Sequence, residues 1–132
     1  MIKTITVLCL VAAAVLVGCQ NDESTVAPTT TNQNNAPNTP NSPSPADGAT
    51  GVNRHVVFSW SGGDPDAGDT TRYDLFYGSD QNPRNLAVSN TLNTVFDFGL
   101  VEPNFVVYWR IRARDNHGLS TDGPVWHFTT GN

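Results

Sequence analysis

The stretch FVVYWRIRAR, Phe105–Arg114, decides the fold of this 132-residue chain. One set of alternate residues in it is apolar: Val107, Trp109, Ile111 and Ala113. The other set is polar or charged: Tyr108, Arg110, Arg112 and Arg114. Because successive side chains of a strand point to opposite faces of a sheet, this period of two predicts a long strand with one buried face.

Four shorter stretches share this alternation: His55–Trp60, Arg72–Tyr77, Thr94–Phe98 and Val125–Thr130. The short apolar run Leu86–Val88 predicts a further, connecting or edge strand. Each is followed by Gly, Pro, Asn or Asp residues, which are typical of the turns between antiparallel strands. About seven short strands predict an all-β fold, a β-sandwich whose core lies between two sheets. Trp60, Trp109 and Trp126 fall on the inward faces, so we expect them in this core and not in a sugar-stacking platform.

The composition narrows the class of protein. Nine Pro and eleven Gly are too many for a helical bundle, because both residues interrupt helices. Seven basic against twelve acidic residues give a net charge of −5, which argues against a nucleic-acid-binding protein. Two Cys cannot form a disulfide-rich scaffold. The length predicts one ordinary domain.

The N-terminus carries Lys3 and then an apolar run, Ile5–Val17, that is too short to cross a membrane, which takes about 20 residues. A basic start followed by a short apolar run predicts a secretory signal peptide over residues 1–18. The tetrapeptide LVGC, ending at Cys19, resembles the lipobox of bacterial lipoproteins. That resemblance implies cleavage before Cys19, lipidation of its thiol and attachment to a membrane of the cell envelope. The residues after it resemble the pattern for the outer membrane. The alternative is an ordinary signal peptide that ends near a Cys.

A polar segment follows the Cys. From Ser24 to Pro43 the sequence has no charge, no aromatic residue and no apolar periodicity. Such a segment buries too little apolar surface to offset its conformational entropy. We therefore predict a disordered tether over residues 19–44 and a folded domain over residues 45–131.

The folded part resembles a bacterial fibronectin type III-like domain. The pieces that carry the resemblance are PADGATGV (Pro45–Val52), VFSW (Val57–Trp60), DPDAGD (Asp64–Asp69), RYDLFYG (Arg72–Gly78), YWRIRARD (Tyr108–Asp115) and GPVWHFTT (Gly123–Thr130). The resemblance implies an immunoglobulin-like β-sandwich. One departure is that the family places a Tyr near the start of the long strand, where Val107 stands here. The resemblance implies no enzymatic activity; it implies spacing, adhesion, or the binding of proteins or glycans.

Two groups of polar residues are candidate sites. The first is acidic and comprises Asp64, Asp66, Asp69 and Asp115. Clustered carboxylates are ligands for Ca²⁺, although Asp is also a common turn former, and we expect no resident cofactor. The second lies on the polar face of the long strand and comprises Tyr108, Arg110, Arg112, Arg114, Phe76 and His127. Arg and aromatic side chains are enriched at recognition surfaces. The alternative is a solvated sheet face with cross-strand ion pairs, for which Asp74 is the obvious partner.

No catalytic constellation is evident: the three His show no metal-ligand spacing, and no nucleophile motif is present. We therefore expect a non-catalytic, lipid-anchored envelope protein that presents a binding, adhesion or spacer module. Its expected partners are the membrane, through the lipid, and a protein or glycan, but not nucleic acid. The alternative is a carbohydrate-binding accessory lipoprotein of a polysaccharide-uptake system.

Overall fold

A computed structural model describes residues 33–132, and this part of the chain contains nine β-strands and no helix. The strands are β1 (Asn41–Ser44), β2 (Ala49–Val52), β3 (His55–Ser61), β4 (Arg72–Gly78), β5 (Asn85–Thr91), β6 (Val95–Leu100), β7 (Val106–Arg114), β8 (Ser120–Asp122) and β9 (Trp126–Thr130). Among these residues no helix is long and apolar enough to span a membrane. The predicted signal peptide, Cys19 and the first part of the predicted tether lie outside the described residues.

The strands form two sheets. The smaller has the order β1-β3-β6, and the larger has the order β2-β9-β7-β4-β5 with β8 paired to β7. All pairs are antiparallel except β2 with β9. The prediction of an all-β sandwich is confirmed. Each of the six predicted strands is present, whereas β1, β2 and β8 escaped prediction because each is too short to show alternation.

The core lies between the two sheets and is rich in aromatic side chains. Trp60, Trp109 and Trp126 are 4%, 0% and 5% exposed, which confirms that they are core residues. Phe58 lies among them, with its ring centroid 4.7 Å from that of Trp109 and 6.0 Å from that of Phe128. Fully burying a side chain of this size contributes about 1.5–3 kcal/mol. The alternation read from Phe105–Arg114 therefore gives the correct inward set for β7.

The folded region begins before the predicted boundary at residue 45. Asn41–Ser44 forms β1, an edge strand that pairs with β3. Further upstream, Pro37 and Pro40 are buried, and the Oγ1 of Thr121 donates a hydrogen bond of 2.6 Å to the carbonyl oxygen of Pro37. Prolines have no N–H to satisfy and are tolerated on sheet edges, so a Pro-rich segment can pack here at little cost. These contacts could not be predicted, because the composition of this segment is typical of disorder.

Candidate functional site

The outward-facing side chains of β4, β7, β8 and β9 form one continuous surface, which we call the outer face. Its members are Arg72, Asp74, Phe76, Tyr108, Arg110, Arg112, Arg114, Asp122 and His127. The register aligns them in rows across the strands, with Phe76 opposite Arg110, and Tyr108 between Gly78 and His127. All six residues predicted for the second site are thus brought together. The sequence did not place Asp122 on this surface, because β8 showed no strand signal. Arg72 was left out although its strand, β4, was predicted.

Ion pairs join the arginines of the outer face. Asp122 accepts a hydrogen bond of 3.0 Å from Arg110 and two, of 2.6 and 3.0 Å, from Arg112. The hydrogen bond from Arg112 lowers the pKa of Asp122, and the same bond raises the pKa of Arg112. Arg114 pairs with the buried carboxylate of Asp74. Cross-strand pairing, the alternative interpretation of this stripe, is therefore present in the structure.

These pairs do not neutralise the outer face. It carries four of the chain's six Arg and only two Asp, which leaves a local charge of +2 on a protein whose net charge is −5. The guanidinium of Arg110 lies over the ring of Phe76, with its carbon atom 4.2 Å from the ring centroid. Such stacking holds the guanidinium in place and leaves its edge for hydrogen bonding. The outer face is thus a locally basic and partly aromatic surface.

A recess opens at one end of the outer face. It has a volume of about 330 Å³ and is lined by Gln81, Tyr108, Val125 and His127. The Tyr108 and His127 rings are stacked, with centroids 5.5 Å apart. The loop that carries Gln81 folds back over Gly78, where a Cβ atom would lie 3.2 Å from the Cα of Pro83. Glycine at position 78 therefore allows this loop to approach Tyr108.

The acidic loops, which we define as residues 62–70 and 115–119, meet at one end of the sandwich. Carboxylate oxygens of Asp64, Asp69 and Asp115 lie within 4.8 Å of one another. Asp66, the fourth predicted residue, is not in this group. Its carboxylate accepts hydrogen bonds of 2.6 and 2.8 Å from the backbone and side chain of Asn35, and the backbone bond is the main cause of its lowered pKa.

Asp115 is largely committed to the protein's own donors. Burial would raise the pKa of Asp115, but hydrogen bonds from Asn34 and from the backbone of Leu119 and His117 outweigh it and lower the pKa. The cluster therefore offers few open carboxylate positions, chiefly the buried and unpartnered Oδ2 atoms of Asp64 and Asp69. Ca²⁺ requires six to eight oxygen ligands. The described residues thus fit a complete Ca²⁺ sphere poorly.

Each described histidine lies beside an aspartate. The pairs are His55–Asp97 at 2.9 Å, His117–Asp69 at 3.2 Å and His127–Asp47 at 3.1 Å. Hydrogen bonds among residues 33–132 join none of these rings to a serine, threonine or cysteine side chain. A nucleophile beside a base is the minimum for covalent catalysis. Among residues 33–132, therefore, no histidine ring is paired with a side-chain nucleophile.

Comparison with solved structures finds this fold in part of a larger enzyme. The α-L-rhamnosidase from Dictyoglumus thermophilum superposes with a TM-score of 0.56 and 19% identity, over 75% of this chain and 13% of that one. The α-L-rhamnosidase of Streptomyces avermitilis, complexed with L-rhamnose, gives a TM-score of 0.49 and 17% identity, over 73% and 10%. This chain thus spans about one eighth or less of these enzymes, and the similarity concerns the fold. No protein-family model and no curated protein sequence matches the chain.

Proposed function

We propose that this chain is a lipid-anchored protein of the bacterial envelope that presents a non-catalytic, fibronectin type III-like binding module. Cys19 is the proposed lipid attachment site, on an outer-membrane lipoprotein. The observation that carries the binding role is the outer face, where four Arg lie beside Phe76, Tyr108 and His127 on an otherwise acidic protein. Arg and aromatic side chains are the residues that contribute most at recognition surfaces.

The geometry of the chain also supports a spacer role. Residues 34 and 35 bind the acidic loops at one end of the sandwich, whereas Asn132 bonds to Asn104 at the other end. The polypeptide therefore traverses the sandwich from end to end. A module with its two ends on opposite sides suits a spacer.

Carbohydrate binding is the second candidate function, as an accessory lipoprotein of a polysaccharide-uptake system. The recess at Tyr108 and His127 favours it, because an aromatic wall with an amide nearby suits a sugar ring. Its volume of about 330 Å³ lies at the lower end of the range for small-molecule sites. The fold shared with a domain-sized part of a rhamnosidase agrees with an accessory role.

Two experiments test the proposal. Fractionation of cells that express the full chain should place it in the membrane fraction, and Cys19→Ala should release it. For binding, the full chain is immobilised and the envelope protein and polysaccharide that it retains are measured. Tyr108→Ala and Arg110→Gln should reduce retention several-fold, whereas Val57→Ala, on the exposed side of the smaller sheet, should not. Equal retention by all four proteins would contradict the assignment of the outer face.

A further inference from the structure

We propose that the outer face binds an acidic glycan, with a uronate sugar ring in the recess and its carboxylate on Arg110. This inference rests on the proposed binding function and names its ligand class. It follows from the charge of the surface, the hydrogen-bonding capacity of Arg110, and the shape and chemistry of the recess.

The charge distribution selects an anionic partner. The net charge of the whole chain is −5 and that of the outer face is +2, so the rest of the chain carries −7. An anionic polymer is therefore attracted to this face and repelled by the remaining surface, most strongly by the carboxylates of the acidic loops. Such complementarity orients the ligand and speeds its association.

Arg110 is placed to receive a carboxylate. Among residues 33–132 it donates one hydrogen bond, from Nη1 to Asp122, which leaves most of its five N–H donors available. Its side chain is 19% exposed and lies over the ring of Phe76, so little side-chain entropy is lost when a ligand binds. Arg112, in contrast, already makes a two-point contact with Asp122.

The recess favours a sugar ring over an extended peptide. Tyr108 lies two residues from Arg110 on the same face of β7, a spacing of about 6.6 Å along a strand. That spacing suits one pyranose whose C–H face packs on an aromatic ring while its carboxylate reaches the guanidinium. Gln81 supplies an amide for the hydroxyl groups. The carboxylate of Asp47 lies 3.1 Å from the Nδ1 of His127. It repels a second carboxylate at that edge of the recess, so the uronate carboxylate is expected on the Arg110 side.

The test is a calorimetric titration of the full chain in detergent with three probes: trigalacturonate, neutral galactotriose and triglutamate. We expect trigalacturonate to bind at least ten-fold more tightly than either of the others, and to bind more weakly as salt is raised. Arg110→Gln should weaken trigalacturonate at least five-fold and leave galactotriose unchanged. Tyr108→Ala should weaken both sugars. Arg54→Gln, the same charge change outside the outer face, is the matched control and should alter neither.

Several results would overturn the inference while leaving the proposed function standing. Equal binding of galactotriose and trigalacturonate would show that the recess recognises sugars without regard to charge. Triglutamate binding as tightly as trigalacturonate would assign the outer face to acidic peptides. If no probe binds but the Tyr108→Ala variant still retains less envelope protein or polysaccharide than the unsubstituted chain, the proposed ligand class is wrong and the outer face is still the binding surface. Unaltered melting temperatures would show that the variants are folded and that weaker binding reflects a lost contact. The salt dependence of binding by the unsubstituted chain shows whether the attraction is electrostatic.

Discussion

Replacing Asp64 by Asn should stabilise the protein, because the acidic loops hold three carboxylates close together. Their oxygens lie within 4.8 Å, and the Oδ2 atoms of Asp64 and Asp69 are buried without a partner. At this separation two unit charges repel by about 0.9 kcal/mol in water and about 3.5 kcal/mol at an effective dielectric of 20. Asp64 has two such neighbours. The substitution removes its charge and can present an amide donor to them.

The expected gain in stability is smaller than the summed repulsion, because the carboxylate of Asp64 also accepts a hydrogen bond within its own turn. Its Oδ1 accepts a hydrogen bond of 2.9 Å from the backbone N–H of Asp66, and an Asn side chain can retain that bond. We therefore expect about 1–2 kcal/mol of added stability. For a domain of about 100 residues each kcal/mol shifts the melting temperature by about 4–8 °C.

The assay is thermal unfolding of the full chain by circular dichroism at pH 7 with EDTA present. Asp66→Asn is the matched control, since it makes the same change in net charge at a carboxylate outside the cluster. It weakens the acceptor for two hydrogen bonds from Asn35, so its melting temperature should stay the same or fall. If Asp64→Asn lowered the melting temperature, or raised it no more than Asp66→Asn, the repulsion argument would be wrong.

Three further predictions concern a cation, a surface ion pair and a buried hydroxyl. Ca²⁺ at millimolar concentration should give no binding heat and no rise in melting temperature, because Asp115 already accepts hydrogen bonds from within the protein. A rise in melting temperature that Asp64→Asn abolishes would instead show that the cluster binds a cation. Asp122→Asn should cost about 1 kcal/mol at neutral pH. Because the pKa of Asp122 is lowered in the folded state, its contribution is complete above about pH 4 and is lost as the pH falls further, so the melting temperatures of variant and unsubstituted chain should converge in acid. Divergence there would contradict the pairing. Thr130→Val should lower the free energy of unfolding in urea by about 1–3 kcal/mol. The buried hydroxyl donates a hydrogen bond to the carbonyl oxygen of Glu102 and accepts one from the N–H of Phe105. An unchanged urea midpoint would show that these two backbone groups find other partners.

The predictable part of the fold is the part with strong alternation. Val107, Trp109 and Ile111 alternate with polar residues over a full strand, so both the strand and its buried face follow from the order of residues alone. The three-residue strand β8 offers no such pattern, and its pairing with β7 depends on a turn of the chain after Asp115. Without β8, Asp122 cannot be assigned to the outer face, and its ion pairs with Arg110 and Arg112 cannot be predicted.

The candidate sites were predictable to a similar extent. One face of β7 fixed the arginine stripe, and strand pairing added Phe76 and His127. The recess was not predictable, because it depends on the loop that brings Gln81 back over Gly78. The position of Asp66 was not predictable either, because its partner Asn35 lies 31 residues away in a segment with the composition of a disordered tether. Contacts between distant segments leave no periodic trace in a sequence.

The segment before β1 explains why the side of the sandwich, and not its loop end, is the better binding surface. The side chains of Asn34 and Asn35 donate hydrogen bonds to the carboxylates of Asp115 and Asp66. This segment therefore already occupies hydrogen-bond acceptors of the acidic loops. Pro37 is buried against the same end, and a ligand there would have to displace it. The outer face has no such covering among residues 33–132, and it holds Arg110 and Tyr108 in fixed positions on a central strand. A ligand on the outer face thus gains contacts without first breaking any of those that hold the N-terminal segment in place.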